Sequence, residues 1–478
     1  MDQLIASLNS LIWSTPLIVL CLGAGLYFSI RTRFMQVRGF GEMVRLMLEG
    51  KKSDAGVSSF QALAMSLSGR IGIGNIAGVA TAIAFGGPGA VFWMWVMAFL
   101  GASTAYVEST LAQIYKETDE HGRYRGGPAY YIEKAMGQKW YAWLFALVTI
   151  VATGFLLPGV QANGIAGGMT NAFGLDPRIT ATVIVIALGF IIFGGVKRIA
   201  SFAGTVVPFM ALAYMLVALV ILFLNFEQLP AMLGLIFRSA FGLEAGVGAV
   251  LGLAVEWGVK RGIYSNEAGQ GSGPHAAAAA EVSHPAKQGY VQAFSVYVDT
   301  LLVCSATAFM ILSTGMYNVI GADGVAIYEA LPGIEAGPGL AQNAVESVLP
   351  GYGAGFVAVA LLFFAFTTII AYYYMAETNI AFINRRIHRP WMTLALRVGI
   401  LAAVTFGTLR SAGAAWALGD IGVGLMAWLN IIAILILQKP ALAALRDYEA
   451  RKKAGKDPQF DPEALGIRNA GFWNKPRP

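Results

Sequence analysis

The sequence predicts an all-α polytopic membrane protein of about 11 transmembrane helices, arranged as a 5+5 inverted repeat plus one extra N-terminal helix. Three observations predict it. Of 478 residues, 57% are hydrophobic and only 13% charged, with a mean hydropathy of +0.63, whereas soluble domains are roughly 25% charged. Eleven apolar stretches are long enough to cross a hydrocarbon core of about 30 Å as helices. Two of these stretches, five crossings apart, are interrupted by glycines at corresponding places.

The stretches, numbered segments 1 to 11, are 13–30, 58–84, 88–115, 140–170, 179–195, 205–225, 257–283, 288–316, 353–382, 391–409 and 413–438. They divide the chain into an extra helix and loop (1–57), a first five-helix repeat (58–225), an external connector (226–256), a second repeat (257–438) and a tail (439–478). Within the connector, 243–256 is short and glycine-rich and reads as an external packing helix. The opening MDQLIASLNS lacks the basic n-region of a cleaved signal, so segment 1 is expected to stay as an anchor.

Loop charge sets the orientation. Arg31, Arg33, Arg38, Arg45, Lys51 and Lys52 follow segment 1, and Lys116, Arg123, Arg125, Lys134 and Lys139 follow segment 3. Lys197 and Arg198, Lys287, the RRIHR run at 385–389 and the tail from Lys439 continue the alternation, whereas 317–352 has no Lys or Arg. By the positive-inside rule the N-terminus is outside and the C-terminus cytoplasmic, in a plasma membrane expected to be a bacterial inner membrane. The basic residues are spread among loops, so the net charge of +6 points to membrane lipid and no nucleic acid partner. Cys21 and Cys304 lie in apolar segments and read as packing residues.

Segment 2 carries SGRIGIGNIAG at 68–78, and segment 7 carries SNEAGQGSGPH at 265–275. Loose backbone in hydrocarbon costs several kcal/mol per unpaired group, so it survives only where it lines a protein cavity. A pair of Gly/Pro-interrupted helices in corresponding positions of two halves points to an inverted-repeat transporter with its site at the midplane. The rival reading of Gly72 to Ala77 as a dinucleotide fingerprint fails, because no strand precedes it and VFWMWV follows where an acid is required. Close helix packing through glycine is the stronger rival, and the pairing of two clusters weighs against it.

These residues resemble a known family, the alanine or glycine:cation symporters, also called sodium:alanine symporters. The resemblance rests on GIGNIAGVATAIAFGGPGAVFWMWVMAFLG at 72–101, GGPAYYI at 126–132, RGIYSNEAGQGSGPHAAAAA at 261–280 and QAFSVYVDTLLVCSA at 292–306. It implies a fold like that of the leucine transporter, with segment 1 as the extra helix. It also implies cotransport of a small neutral amino acid, glycine or alanine, with Na+ as the coupling ion, occasionally H+, and no cofactor. A distant likeness to the G-x-G-N of neurotransmitter:sodium symporters implies that the amides of Ile73 and Gly74 face the substrate carboxylate. Gly72, Asn75, Tyr264, Gly269, Gln270 and Gly271 are the further substrate-binding candidates. The same likeness implies a Na+ site made of the Ser68 and Ile71 carbonyls with the hydroxyls of Thr367 and Thr368. It also places Asp299 where Arg70 needs an anion, so an Arg70–Asp299 pair is expected in place of a second sodium, with Glu267 as a further coupling residue; the alternative is that Arg70 faces the cytoplasmic vestibule and snorkels toward water.

This chain departs from the family pattern at Ile73, where a small hydroxyl is common, and at Gln270 and His275. His275 is expected to cap or line a wet cavity. Buried acids in membrane segments are functional suspects by default. Asp299 is the strongest, whereas Glu108 and Glu377 read as partners of loop bases and Glu256, Lys260 and Arg261 as interfacial. The aromatic run at 91–99 reads as packing and interfacial anchoring, and the loop HGRYRGGPAYYIEKAM at 121–136 as a gate element. No HExxH, G-x-S-x-G or spaced His/Cys cluster supports an enzyme. The alternatives kept open are proton coupling, a broader neutral amino acid range including glutamine, and an ion channel.

Overall fold

The computed structural model describes residues 2–49, 56–242, 251–456 and 458–474. Each of the eleven predicted segments is present as helix. Segment 1 is Thr15–Arg31, preceded by a short helix Asp2–Ile12. A capping box opens segment 2: Ser58 Oγ accepts from Gln61 N while Gln61 Oε1 accepts from Ser58 N, at 3.1 and 3.0 Å. The helix Ser59–Arg70 then stops, and a second piece, Gly74–Gly86, leaves at a 52° bend. Segments 3 to 6 are Gly89–Ile114, Lys139–Phe173, Pro177–Ile192 and Gly195–Leu224. Segment 7 is broken like segment 2, into Leu251–Asn266 and Gly273–Ala279. Segments 8 to 11 are Pro285–Thr314, Gly353–Ile387, Trp391–Thr408 and Ala412–Lys453.

Among the described residues, eight helices, or nine with the bent pair of segment 2, are long and apolar enough to cross a membrane. Segment 5, at 16 residues, reaches only about 24 Å, and segment 7 fails through its break. Segment 11 runs fifteen residues past its expected end as one helix to Lys453. The helix Leu251–Asn266 begins inside the stretch expected as an external packing helix, whose residues 243–250 lie outside the described residues, as do Lys51 and Lys52. The connector also holds a helix, Leu229–Ala240, on the start of segment 3, with Ser239 Oγ accepting from Gly89 N (3.0 Å) and Ala240 O from Trp93 Nε1 (3.1 Å). Trp95 Nε1 reaches Ser305 Oγ at 2.8 Å, so the 91–99 aromatics pack against the connector helix and segment 8.

Burial separates a core from a rim. Segments 5 and 6 turn large apolar side chains outward, Phe190, Phe209 and Phe223 being 74, 76 and 80% exposed, as a lipid contact requires. Both breaks, with most of segments 8 and 9, are buried. The connections after segments 1, 3, 7 and 9 and the tail form a basic face, tied by Arg38–Glu449, Lys287–Glu49 and Arg385–Glu117. Residues 458–474 fold back across that face. Phe460 N donates to Ser283 O at 3.1 Å, Trp473 Nε1 to Gln113 O at 3.0 Å and Asn469 Nδ2 to Lys134 O at 2.8 Å. The Lys116 ammonium, bonded to Ala280 O at 2.6 Å, sits among the rings of Tyr124, Phe472 and Trp473.

Candidate functional site

The break in segment 2 frees backbone groups after Arg70, and neutral side chains take them up. Gly72 N donates to Asn75 Oδ1 at 2.8 Å and Ile73 N to Gln161 Oε1 at 2.9 Å. From segment 9, Thr368 Oγ1 approaches the carbonyls of Ser68 (2.8 Å) and Ile71 (3.3 Å). Gly72 cannot be larger, because a methyl there would come 2.5 Å from Thr368 Oγ1 and 2.9 Å from Gln161 Oε1. Gly74 faces Tyr264 and Ser265 of segment 7, so the two broken helices touch.

Beside this contact, Asn75 Nδ2 donates to Asp299 Oδ1 at 2.7 Å. Ser265 Oγ and Thr300 Oγ1 complete the carboxylate at 2.9 and 2.7 Å. Cys304 Sγ touches both Asn75 and Ser265. A cavity of about 580 Å³, lined by Ile73, Gly164, Gln342, Pro338 and Trp416, leads to the break from the face opposite the basic loops.

Several expected contacts are not made. Arg70 is neither paired with Asp299 nor turned to water: it is 1% exposed and its Nη1 donates to Gln292 O (3.1 Å) and Ser295 Oγ. Ser295 lies one helical turn before Asp299, so the guanidinium meets segment 8 a turn away while neutral donors satisfy the carboxylate. Thr367 does not reach the Ser68 and Ile71 carbonyls; its Oγ1 bonds back to Phe364 O at 2.9 Å and faces Met210. The hydroxyls of Thr367 and Thr368 both lie against Phe364 O, at 2.9 and 3.0 Å, and that of Thr368 also reaches the Ser68 and Ile71 carbonyls.

Gly269, Gln270 and Gly271 do not face the segment 2 break. The amides of Gly269 and Gly271 donate to the two carboxylate oxygens of Glu108, each at 3.2 Å. Asn430 of segment 11 bonds Glu108 Oε2 at 2.7 Å and Gly269 O at 2.9 Å, and Tyr131 OH bonds Asn430 Oδ1. Gln270 points toward Met426 of segment 11. Three positive φ angles, at Glu267, Gly269 and Gly271, turn the chain through this break. Glu108 is therefore the clamp of segment 7 and no partner of a loop base; an acid among the small polar residues GASTAYVEST signals it in retrospect. Gln161 and Asn430, lone amides in apolar helices, carry the same signal.

The remaining suspects resolve as follows. Glu377 does pair with a loop base, Arg125, at 3.6 Å. Arg125 also reaches Asp119 and Thr378, pinning the 121–136 loop to segment 9. Lys260 and Arg261 are buried in the protein, where Asp420 of segment 11 pairs with both, at 2.9 and 2.8 Å. His275 lines no wet cavity: it is fully buried, with Nδ1 on Ser272 O (3.0 Å) and Nε2 on Asn379 Nδ2 (2.8 Å). That pattern fits a neutral ring donating at Nδ1 and accepting at Nε2.

Two discontinuous helices that touch inside an inverted-repeat core, with carbonyls, amides and a hydroxyl turned into the gap, define a secondary transporter. The fold is that of MhsT, solved in complex with L-phenylalanine, which matches at a TM-score of 0.55 over 81% of this chain and 95% of that one, at 14% identity. The sodium:alanine symporter family matches residues 1–462, and the chain belongs to it. It is 64% identical to YrbD of Bacillus subtilis over 99% of this chain and 98% of that one. It is 56% identical to the sodium/proton-dependent alanine carrier protein of Bacillus sp. (strain PS3) over 90% of this chain and 97% of that one.

Proposed function

We propose that the protein couples Na+ entry to uptake of alanine and glycine by alternating access, with its N-terminus outside and its basic face in the cytoplasm. The observation that carries this reading is the convergence of Ser68 O, Ile71 O and Thr368 Oγ1 on the broken turn whose next residue, Ile73, floors the outer cavity. Uncharged oxygens suit a monovalent cation, and rotation of the Thr368 hydroxyl turns its lone pairs toward the ion. Ion and amino acid then share one broken turn, so the occupancy of each stabilises the geometry the other needs. In the substrate role stand the amides of Ile73 and Gly74, with Gln161 positioned to yield the Ile73 amide to a carboxylate and Tyr264 closing the side wall.

One charge crossing about 100 mV gains about 2.3 kcal/mol. At about 1.4 kcal/mol per tenfold, one coupled Na+ sustains about fiftyfold accumulation from voltage alone. Uptake of labelled alanine into proteoliposomes tests the reading. It is expected to saturate, to collapse when choline replaces Na+ at fixed pH, and to be competed by glycine. Uptake that persists in choline but follows a pH gradient overturns sodium coupling, and flux without saturation favours a channel.

A further inference from the structure

Three carboxyls and one guanidinium are buried together around the two breaks: Glu108, Glu267, Asp299 and Arg70, each at most 1% exposed. They are not equally provided for. Glu108 receives two backbone amides and the Asn430 amide, and Asp299 receives Asn75, Ser265 and Thr300. Each of these two carboxyls is met by three hydrogen-bond donors. Glu267 receives two hydroxyls, Ser272 Oγ at 2.8 Å on Oε2 and the Tyr372 OH beside it, with no amide donor, and its Oε1 has no hydrogen-bond partner among the described residues.

Arg70 mirrors this shortfall. Its Nη1 is tethered to segment 8, while Nε and Nη2, the edge that forms two-pronged carboxylate pairs, have no partner among the described residues. The two orphaned groups lie close but unpaired. A methyl at Gly69 would stand 3.3 Å from Glu267 Oε2, and one at Gly273 would stand 2.8 Å from Arg70 Nη2. Glycines thus keep the space between the two breaks open. An anion left there without compensation is strongly disfavoured, so a positive charge belongs at Glu267 whenever Arg70 is held away.

We propose that Glu267 is a second cation-binding carboxylate of the transport cycle, taking a monovalent cation (Na+ or H+), and that Arg70 supplies the replacement charge once that cation has left. The proposal rests on the sodium-coupled reading above and adds a second coupled charge to it. The groups facing Glu267 are Arg70 of segment 2, Asp299 of segment 8, Tyr372 of segment 9, and Tyr264 and Ser272 of segment 7, with Glu108 of segment 3 acting through Arg70. None of them other than Arg70 brings a positive charge.

The test compares purified wild-type protein with Glu267→Gln, Glu267→Asp and Arg70→Gln, by equilibrium binding of radioactive sodium, by the pH dependence of alanine binding, and by alanine uptake with the charge moved per alanine. Wild-type uptake without Na+ dependence would overturn the sodium-coupled reading on its own. With that dependence in place, Glu267→Gln is expected to lose one charge per alanine in uptake. If the cation is Na+, it binds one sodium fewer; if it is H+, sodium binding stays and the pH dependence flattens. Where Glu267→Gln is folded but does not turn over, the two binding measurements decide alone. Glu267→Asp should restore whichever dependence was lost, which a purely structural role would not do. Arg70→Gln should tighten binding of that cation by about tenfold while slowing turnover, because its competitor is gone. Unchanged sodium binding and pH dependence in Glu267→Gln, no restoration in Glu267→Asp, or unaltered cation affinity in Arg70→Gln overturns the proposal.

Discussion

The two broken helices solve one problem in opposite ways. In segment 2, neutral groups from three helices hold the freed backbone: Asn75 from its own segment, Gln161 from segment 4 and Thr368 from segment 9. In segment 7 a carboxylate holds it, with Glu108 spanning two amides and Asn430 bracing the far side. Hydrogen bonds to charged groups are worth about 1.5–3 kcal/mol, against about 0.5–1.5 kcal/mol for neutral ones. The first break is therefore built to exchange its partners for ligands, and the second to keep its own.

Removing the clamp should have the largest effect. Glu108→Ala strands two amides and Asn430 in a buried site, and breaking a buried charged network costs about 3–5 kcal/mol. A large fall in melting temperature in detergent is expected, with Glu108→Gln intermediate; a variant that melts with the wild type would show that segment 7 does not depend on the clamp. Next comes Gly72→Ala, which forces a methyl against Thr368 and Gln161. Overpacking costs about 1–3 kcal/mol, so the half-saturating Na+ concentration should rise about 10- to 100-fold in a folded protein, read from alanine uptake against Na+.

A smaller effect separates two neighbours. Thr368→Val removes one oxygen from the first break and should raise the half-saturating Na+ concentration about tenfold, while Thr367→Val leaves it unchanged. Equal effects from both would place the ion elsewhere. The smallest is Ile73→Ala. One apolar wall discriminates by about 1–3 kcal/mol, and competition by valine against labelled alanine should improve about fivefold. Unchanged competition would put the selecting wall on another helix.

The order of the segments and the position of both breaks were legible because hydropathy and glycine act locally along the chain. The composition of the first break was legible for the same reason, since Ser68, Ile71, Gly72 and Asn75 lie within one short run. What failed were statements about rotation and depth. Which of Thr367 and Thr368 faces inward depends on how segment 9 is turned, and whether Arg70 meets Ser295 or Asp299 depends on the register of segment 8. Glu108 was misread because its distance from the end of segment 3 suggested a loop partner, while its actual partners lie 161 and 163 residues away. The partner of Lys260 and Arg261 was not legible because nothing near them in sequence announces Asp420, which lies in segment 11 and forms the Arg261 bond across 159 residues.

The folded-back stretch 458–474 bears on how the molecule is made. Trp473 bonds Gln113 across 360 residues of chain, and Asn469 bonds Lys134 across 335. Synthesis runs from the N-terminus at about 5–20 residues per second, so segment 3 waits tens of seconds in the bilayer before its last partner leaves the ribosome. Throughout that interval the Lys116 ammonium lacks the rings of Phe472 and Trp473 that help to cage it. Docking of 458–474 is therefore a late fastening step at the basic face, and a chain interrupted shortly before Phe472 would leave the bundle threaded but unfastened.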